Sequence, residues 1–95
     1  MDDDHVAVHV AGEVDASNAD AFAQLLEVAS QQRSVVGLYL GDATYLDSAA
    51  LRVIVRATCA IRDGGGDLRV RESSEVARQI LQTAGLFDEL CGSES

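Results

Sequence analysis

Few side chains in this 95-residue chain have the type and spacing to do chemistry: Asp47-Ser48, His5 and His9, Cys59 and Cys91, and the glycines at 64–66. Ser48, Asp47 and His9 include the residue types of a nucleophilic triad, but the setting is wrong. A nucleophile elbow reads G-x-S-x-G on a strained turn, whereas Asp47 precedes this serine and Ala49 and Ala50 follow it. His5 and His9 share one side of a strand-like segment, where four residues at roughly 3.3 Å each hold them about 13 Å apart, too far to chelate one ion. They read as partly exposed strand histidines. The two cysteines form no CxxC pair, no secreted disulfide framework and only a poor zinc site. They leave open a redox-tuned module in which Cys59 and Cys91 meet. Gly64-Gly65-Gly66 follows a helical segment, whereas phosphate loops precede one, so it reads as a helix cap and turn.

The charge balance narrows the partners. Sixteen acids stand against seven bases, all of them arginine, for a net charge of −9. Such a surface repels nucleic acid and anionic lipid, and part of the acid lies at the ends, in Asp2, Asp3, Asp4 and Glu94. No stretch approaches the roughly 20 apolar residues that span a bilayer, and the start lacks the basic and apolar regions of a signal peptide. The expectation is a cytoplasmic protein without direct membrane insertion. The length suits a single domain over residues 1–95. With 47% hydrophobic residues and no Trp, its core must be built from Val, Leu, Ile and Ala.

The elements that would position these residues follow from periodicity. His5 to Ala11 alternates, with Val6, Val8 and Val10 on one face, and is expected to end as a strand at Gly12. From Ser17 the pattern turns helical: Phe22, Leu25, Leu26 and Ala29 form one stripe, with Ser17 or Asn18 as cap. Val35 to Leu40 is a continuous apolar run, the mark of a strand buried on both faces. After a polar turn at 41–44, a second helix should run from about Ala49 to Arg62 with Ser48 as its N-cap. Its core side would carry Leu51, Ile54, Val55 and Ile61, and its outward stripe Arg52, Arg56, Cys59 and Asp63. Leu68 to Arg71 alternates as an edge strand. A third helix from Ser73 or Ser74 would bury Val76, Ala77, Ile80, Leu81 and Ala84 and stop at Gly85, with Leu86 and Phe87 folding back. Strand and helix alternate three times, which predicts an α/β fold with a parallel or mixed sheet.

The segment from Gly41 to Leu51 leads off the central strand and delivers Ser48 to a helix start. Position allows two compatible readings: a capping serine, worth roughly 1 kcal/mol, or a phosphoacceptor gaining about −1.5 to −2 charges. The helix dipole and Arg52, one turn on, would favour a phosphate there, while Asp47, Asp42 and Asp15 would oppose it if near. Modification would then act on a partner's surface rather than on the fold.

These residues resemble the STAS domain family, and within it the bacterial anti-sigma-factor antagonists. Gly12-Glu13-Val14-Asp15 is similar to the family's G-E-[LI]-D after a strand, and Asp42 through Leu51 to its D-x-x-x-x-D-S-[STA]-G-L segment. Gly64-Gly65 before a strand and then Ala84-Gly85-Leu86-Phe87 are similar to its later landmarks, so the likeness covers about residues 5–90. It implies a STAS-like mixed sheet of about four strands with three to four helices packed on it. It implies also a binding protein, not an enzyme, that needs no cofactor and no metal. By the same resemblance Ser48 is phosphorylated by an anti-sigma factor that is a serine/threonine kinase, and a metal-dependent serine phosphatase restores it. The unphosphorylated form binds the kinase and frees the sigma factor. The implied partner face comprises Asp15, Asp42, Asp47, Ala49, Ala50, Arg52 and Arg56. Ala50 stands where the family usually has glycine, and Ala49 where it often has Ser or Thr. The family's strand before His5 and its strand after Phe87 are not recognisable, so an exposed edge is expected that a partner or a second copy, as in a homodimer, could cover. The alternative is a constitutive STAS subunit of a larger assembly, such as a phospholipid-transport ATPase, with a structural Ser48.

Overall fold

In the computed structural model, which describes residues 5–87 and residue 90, strands and helices alternate. They are β1 (His5–Val14), α1 (Ala19–Gln32), β2 (Val35–Leu46), α2 (Ser48–Asp63), β3 (Asp67–Ser73) and α3 (Glu75–Thr83). The sheet order is β1-β2-β3, and both pairings are parallel. Parallel neighbours need a long crossover rather than a tight turn, and here each crossover is a helix. The α1 helix packs on β1 and β2, α2 on β2 and β3, and the two helices pack on each other. The family's mixed sheet of about four strands is thus, among the described residues, a three-stranded all-parallel sheet with three helices.

The core lies between this sheet and the helices. Val8, Val36, Leu38, Leu40, Leu68 and Val70 from the strands meet Phe22, Leu26, Ile54 and Leu81 from the helices. The inward row of α1 is Ala19, Phe22, Leu26 and Ala29, narrower than the expected stripe, and it leaves Leu25 47% exposed. Likewise α2 turns Ile54 and Thr58 inward while Val55 faces out, because positions four apart share a face and adjacent ones diverge by about 100°. The Thr58 hydroxyl satisfies itself on the Ile54 carbonyl at 2.7 Å. On α3, Ala77 and Leu81 are buried, whereas Val76 and Ala84 are exposed, contrary to the sequence expectation.

Two strands are longer than the periodicity suggests. β1 continues past Gly12, which adopts φ +82° where the pairing register shifts. A positive φ of this kind costs glycine little. The supposed polar turn at 41–44 is strand as well: Asp42 and Ala43 pair with Ala11 and Gly12, and Tyr45 and Leu46 pair with Glu13 and Val14. β3 leaves the sheet earlier, its last pair being Leu40 with Ser73. There α3 takes over the neighbouring space on β2, clipped by the Ser74 hydroxyl, which donates to the Ala43 carbonyl at 2.6 Å and accepts from the Ala77 amide at 3.1 Å.

The helix ends follow the glycines. At α2 the Gly66 amide reaches the Ile61 carbonyl at 2.9 Å and the Gly65 amide the Arg62 carbonyl at 3.0 Å, with Gly65 at φ +93°. At α3 Leu86 reaches Leu81 at 2.9 Å and Gly85 reaches Gln82 at 3.0 Å, with Gly85 at φ +78°. Both are Schellman closures, in which a left-handed residue lets two amides satisfy the last carbonyls. Beyond α2, Asp67 accepts from Arg62 Nε at 2.7 Å and from Arg69 Nε at 2.9 Å, joining the helix end to β3.

Candidate functional site at the start of the second helix

The last residue before α2 is Asp47, and it holds several pieces together. Its amide donates to the Val14 carbonyl at 3.1 Å, and its own carbonyl accepts from Leu51 at 3.0 Å. Its carboxylate accepts from the Ala50 amide at 3.0 Å through Oδ1 and from the Ala16 amide at 3.2 Å through Oδ2. Asp47 is therefore the N-cap of α2, and Ser48 is the first helical residue rather than the cap. Aspartate and serine are both favoured caps, but here the carboxylate, with two oxygens, serves the helix and the preceding loop at once.

The serine is consequently left exposed, and its hydroxyl makes no hydrogen bond to the described residues. The Ser48 and Ala49 amides likewise have no acceptor among the described residues, as expected of first-turn N–H groups. The hydroxyl is thus presented to solvent beside open backbone donors at the positive end of a 16-residue helix.

The loop between β1 and α1 forms the other wall. The Asp15 carboxylate accepts from the Ser17 hydroxyl at 2.6 Å and the Ser17 amide at 3.0 Å, and these bonds hold it below the usual carboxylate range. Asn18 precedes α1 without capping it through its side chain. That side chain instead accepts from the Asp15 amide at 2.8 Å and donates to the Glu13 carbonyl at 3.0 Å. Because Ala16 is bonded to Asp47, the Gly12-Glu13-Val14-Asp15 segment and the Asp47-Ser48 segment meet.

The expected site residues therefore separate into groups. Asp15, Asp47, Ser48 and Ala49 converge, and Arg52 stands exposed one turn further on. Ala50 is fully buried, so its methyl belongs to the core and cannot touch a partner, contrary to its place in the expected partner face. Arg56, two turns along, borders a groove between α1 and α2 together with Asp20 and Glu27. Asp42 lies on the extended part of β2, five residues before Asp47, which at about 3.3 Å per residue is roughly 16 Å away. His9 stacks on Tyr39 with ring centroids 4.6 Å apart and sits five residues before Val14, so no triad forms with Ser48. Cys59 is an exposed free thiol, and Cys91 lies outside the described residues. Among the described residues no group of three or more His, Cys, Asp or Glu could hold a metal ion, and no helix is long and apolar enough to cross a membrane.

Sequence reasoning missed Tyr45, which is 48% exposed beside the site. Its signal was the alternation with the buried Leu46, hidden by reading this stretch as a turn rather than a strand.

The parallel sheet, its helices and the Asp-Ser turn define a STAS domain. The family model for that domain matches residues 1–94, and the chain belongs to the STAS family. It is 28% identical over 88 residues to an anti-sigma-B factor antagonist of Bacillus subtilis, covering 93% of this chain and 81% of that one. An anti-sigma-B factor antagonist of Listeria monocytogenes is 32% identical over 88 residues, covering 92% and 77%. In fold the chain is similar to the unphosphorylated anti-sigma factor antagonist SpoIIAA, with a TM-score of 0.76 at 16% identity over 92% of this chain and 78% of that one. It is also similar to an anti-sigma factor antagonist from Mycobacterium paratuberculosis, with a TM-score of 0.74 at 21% identity over 97% and 78%.

Proposed function

We propose that this chain is an anti-sigma-factor antagonist, a binding protein without enzymatic activity, whose hold on an anti-sigma-factor serine/threonine kinase is switched by phosphate on Ser48. The observation that carries this reading is the unspent Ser48 hydroxyl: Asp47 does the capping, and the serine stands exposed as the first residue of α2. The names of the curated relatives support the same role.

In this reading the partner covers Ser48, Ala49, Asp15, Asp47 and Arg52, while Asp42 and Arg56 lie towards the edge of the footprint. A phosphoserine brings about −1.5 to −2 charges. The helix N-terminus and Arg52 accommodate it, and Asp47 and Asp15 oppose it. The fold changes little, and the partner must now face a dianion, which releases it. A metal-dependent serine phosphatase in the cytoplasm then restores the binding form.

Intact mass of the protein isolated from its own cells, with and without phosphatase treatment and beside Ser48→Ala, tests the switch. One phosphate that is absent from Ser48→Ala is the expected result. No phosphate during growth, starvation and stress would overturn it in favour of a constitutive STAS subunit.

A further inference from the structure

Among the described residues the sheet has two outer edges, and they are built differently. At one edge, β3 carries Asp67, Arg69, Arg71 and Glu72 within seven residues, a usual defence of a strand edge against further pairing. At the other, β1 runs ten residues and has no Asp, Glu, Lys or Arg before Glu13. Among the described residues β1 pairs only with β2, which leaves one row of its backbone amides and carbonyls without a strand partner. Beside that row lies apolar surface. Val6 and Val8 of β1 and Leu25 and Val28 of α1 line a shallow groove of about 210 Å³, bordered by His9 and Gln32. Leu25 and Val28 are exposed, and no carboxylate lines the groove, although the chain carries a net charge of −9.

We propose that a second copy of this chain covers this edge, the two β1 strands pairing antiparallel over His5–His9 so that two three-stranded sheets become one. Charge selects the contact. Two chains of like charge repel over most of their surfaces, and here each offers the other a patch free of carboxylates. Symmetry selects the occupant. The register with β2 is regular from His5 to His9 and shifts beyond it, so Ala7 is the midpoint of the regular run. With the Ala7 residues of both copies at a two-fold axis, Val6 of one stands opposite Val8 of the other on the face that carries α1, and His5 opposite His9 on the other face. Leu25 and Val28 of both copies then flank the axis on one side of the joined sheet, the same patch meeting itself as a two-fold contact requires. Antiparallel pairing gives the open backbone row its partners, and the exposed leucine and valine leave water.

The pairing also leaves Ser48 accessible. Val14, whose carbonyl accepts the Asp47 amide, lies five residues past His9, roughly 16 Å along the strand. The dimer thus presents two copies of the serine-bearing turn, and its formation does not depend on the reading of Ser48.

Sedimentation and light scattering of the full chain test the proposal between about 1 μM and 1 mM, the span of weak to moderate dissociation constants. Wild type should pass from the chain mass to twice that mass within this range. Leu25→Glu and Val28→Glu should each weaken the dimer at least tenfold, while Val76→Glu, exposed on α3, should dimerise as wild type. Circular dichroism establishes that the variants are folded, and Val28→Glu, at the more exposed of the two positions, keeps the test open if Leu25→Glu unfolds. Hydrogen exchange of wild type should show amides within His5–His9 slowed on concentration. A wild type that stays monomeric throughout would overturn the proposal. So would a dimer that folded Leu25→Glu and Val28→Glu leave within twofold of wild type, or one that leaves exchange at His5–His9 unchanged.

Discussion

At Asp47 and Ser48 two adjacent residues are both good helix caps, and the sequence offers no way to choose between them. The choice depends on Ala16, thirty-one positions away, whose amide takes the second carboxylate oxygen. The distinction is measurable. Asp47→Ala should cost about 1 kcal/mol through the lost cap, with further loss from the freed Ala16 amide, read as a lower midpoint in urea. Ser48→Ala should change stability by less than about 0.5 kcal/mol, as for a surface substitution away from special features. A loss of about 1 kcal/mol at Ser48 instead would return the capping role to the serine. The likeness of Gly12-Glu13-Val14-Asp15 to a family segment marked Asp15 for the partner face. Only the fold reveals that its carboxylate is already engaged by Ser17.

Among the elements, helices and strands were legible by existence and order, and less so by extent. The stretch at 41–44 looks like a turn because its residues are polar or small, yet tertiary pairing with β1 makes it strand, and that context outweighs local preference. The triple glycine was legible as a cap, but its last member has a different reason for being glycine. A side chain at Gly66 would run into the Ser34 carbonyl, which receives the Asp67 amide at 2.9 Å. Gly66→Ala should therefore destabilise by about 1–3 kcal/mol, the usual cost of overpacking, as measured by thermal melting. The link between α2 and β3 is also sensitive to acid. Burial raises the Asp67 pKa, but the hydrogen bonds from Arg62 and Arg69 outweigh this and hold it below the ordinary value of 3.8. A lowered folded pKa means that the unfolded chain binds the proton first. The contribution is complete above the unfolded value and lost as pH falls through the folded one. The gap in urea stability between wild type and Asp67→Asn should be full at pH 6 and shrink as pH falls below the ordinary value of 3.8; a gap that does not change with pH would remove the ion-pair explanation.

Over the whole molecule the alternation of periods announced an α/β unit, because the long crossovers that join parallel neighbours are usually helices. The core composition was legible for the same reason, and Ile54 is fully buried at its centre. Ile54→Ala should cost about 2–5 kcal/mol, read by chemical denaturation. A shallow groove beside Ser48, lined by Tyr45, Leu51 and Ile80, was not legible, since it is made by α3 packing against β2, an arrangement that no local pattern encodes.

The carboxylate of Asp47 reaches one amide on each side of Ser48, Ala16 in the loop and Ala50 in the helix. These two protons are therefore natural reporters of the neighbouring charge. In a ¹⁵N-labelled sample, their resonances should move together when Ser48 is modified, while those of β3 stay in place. On the proposed reading of Ser48 as a phosphoacceptor, its modification could then be followed in a cell extract without any added label on the serine itself.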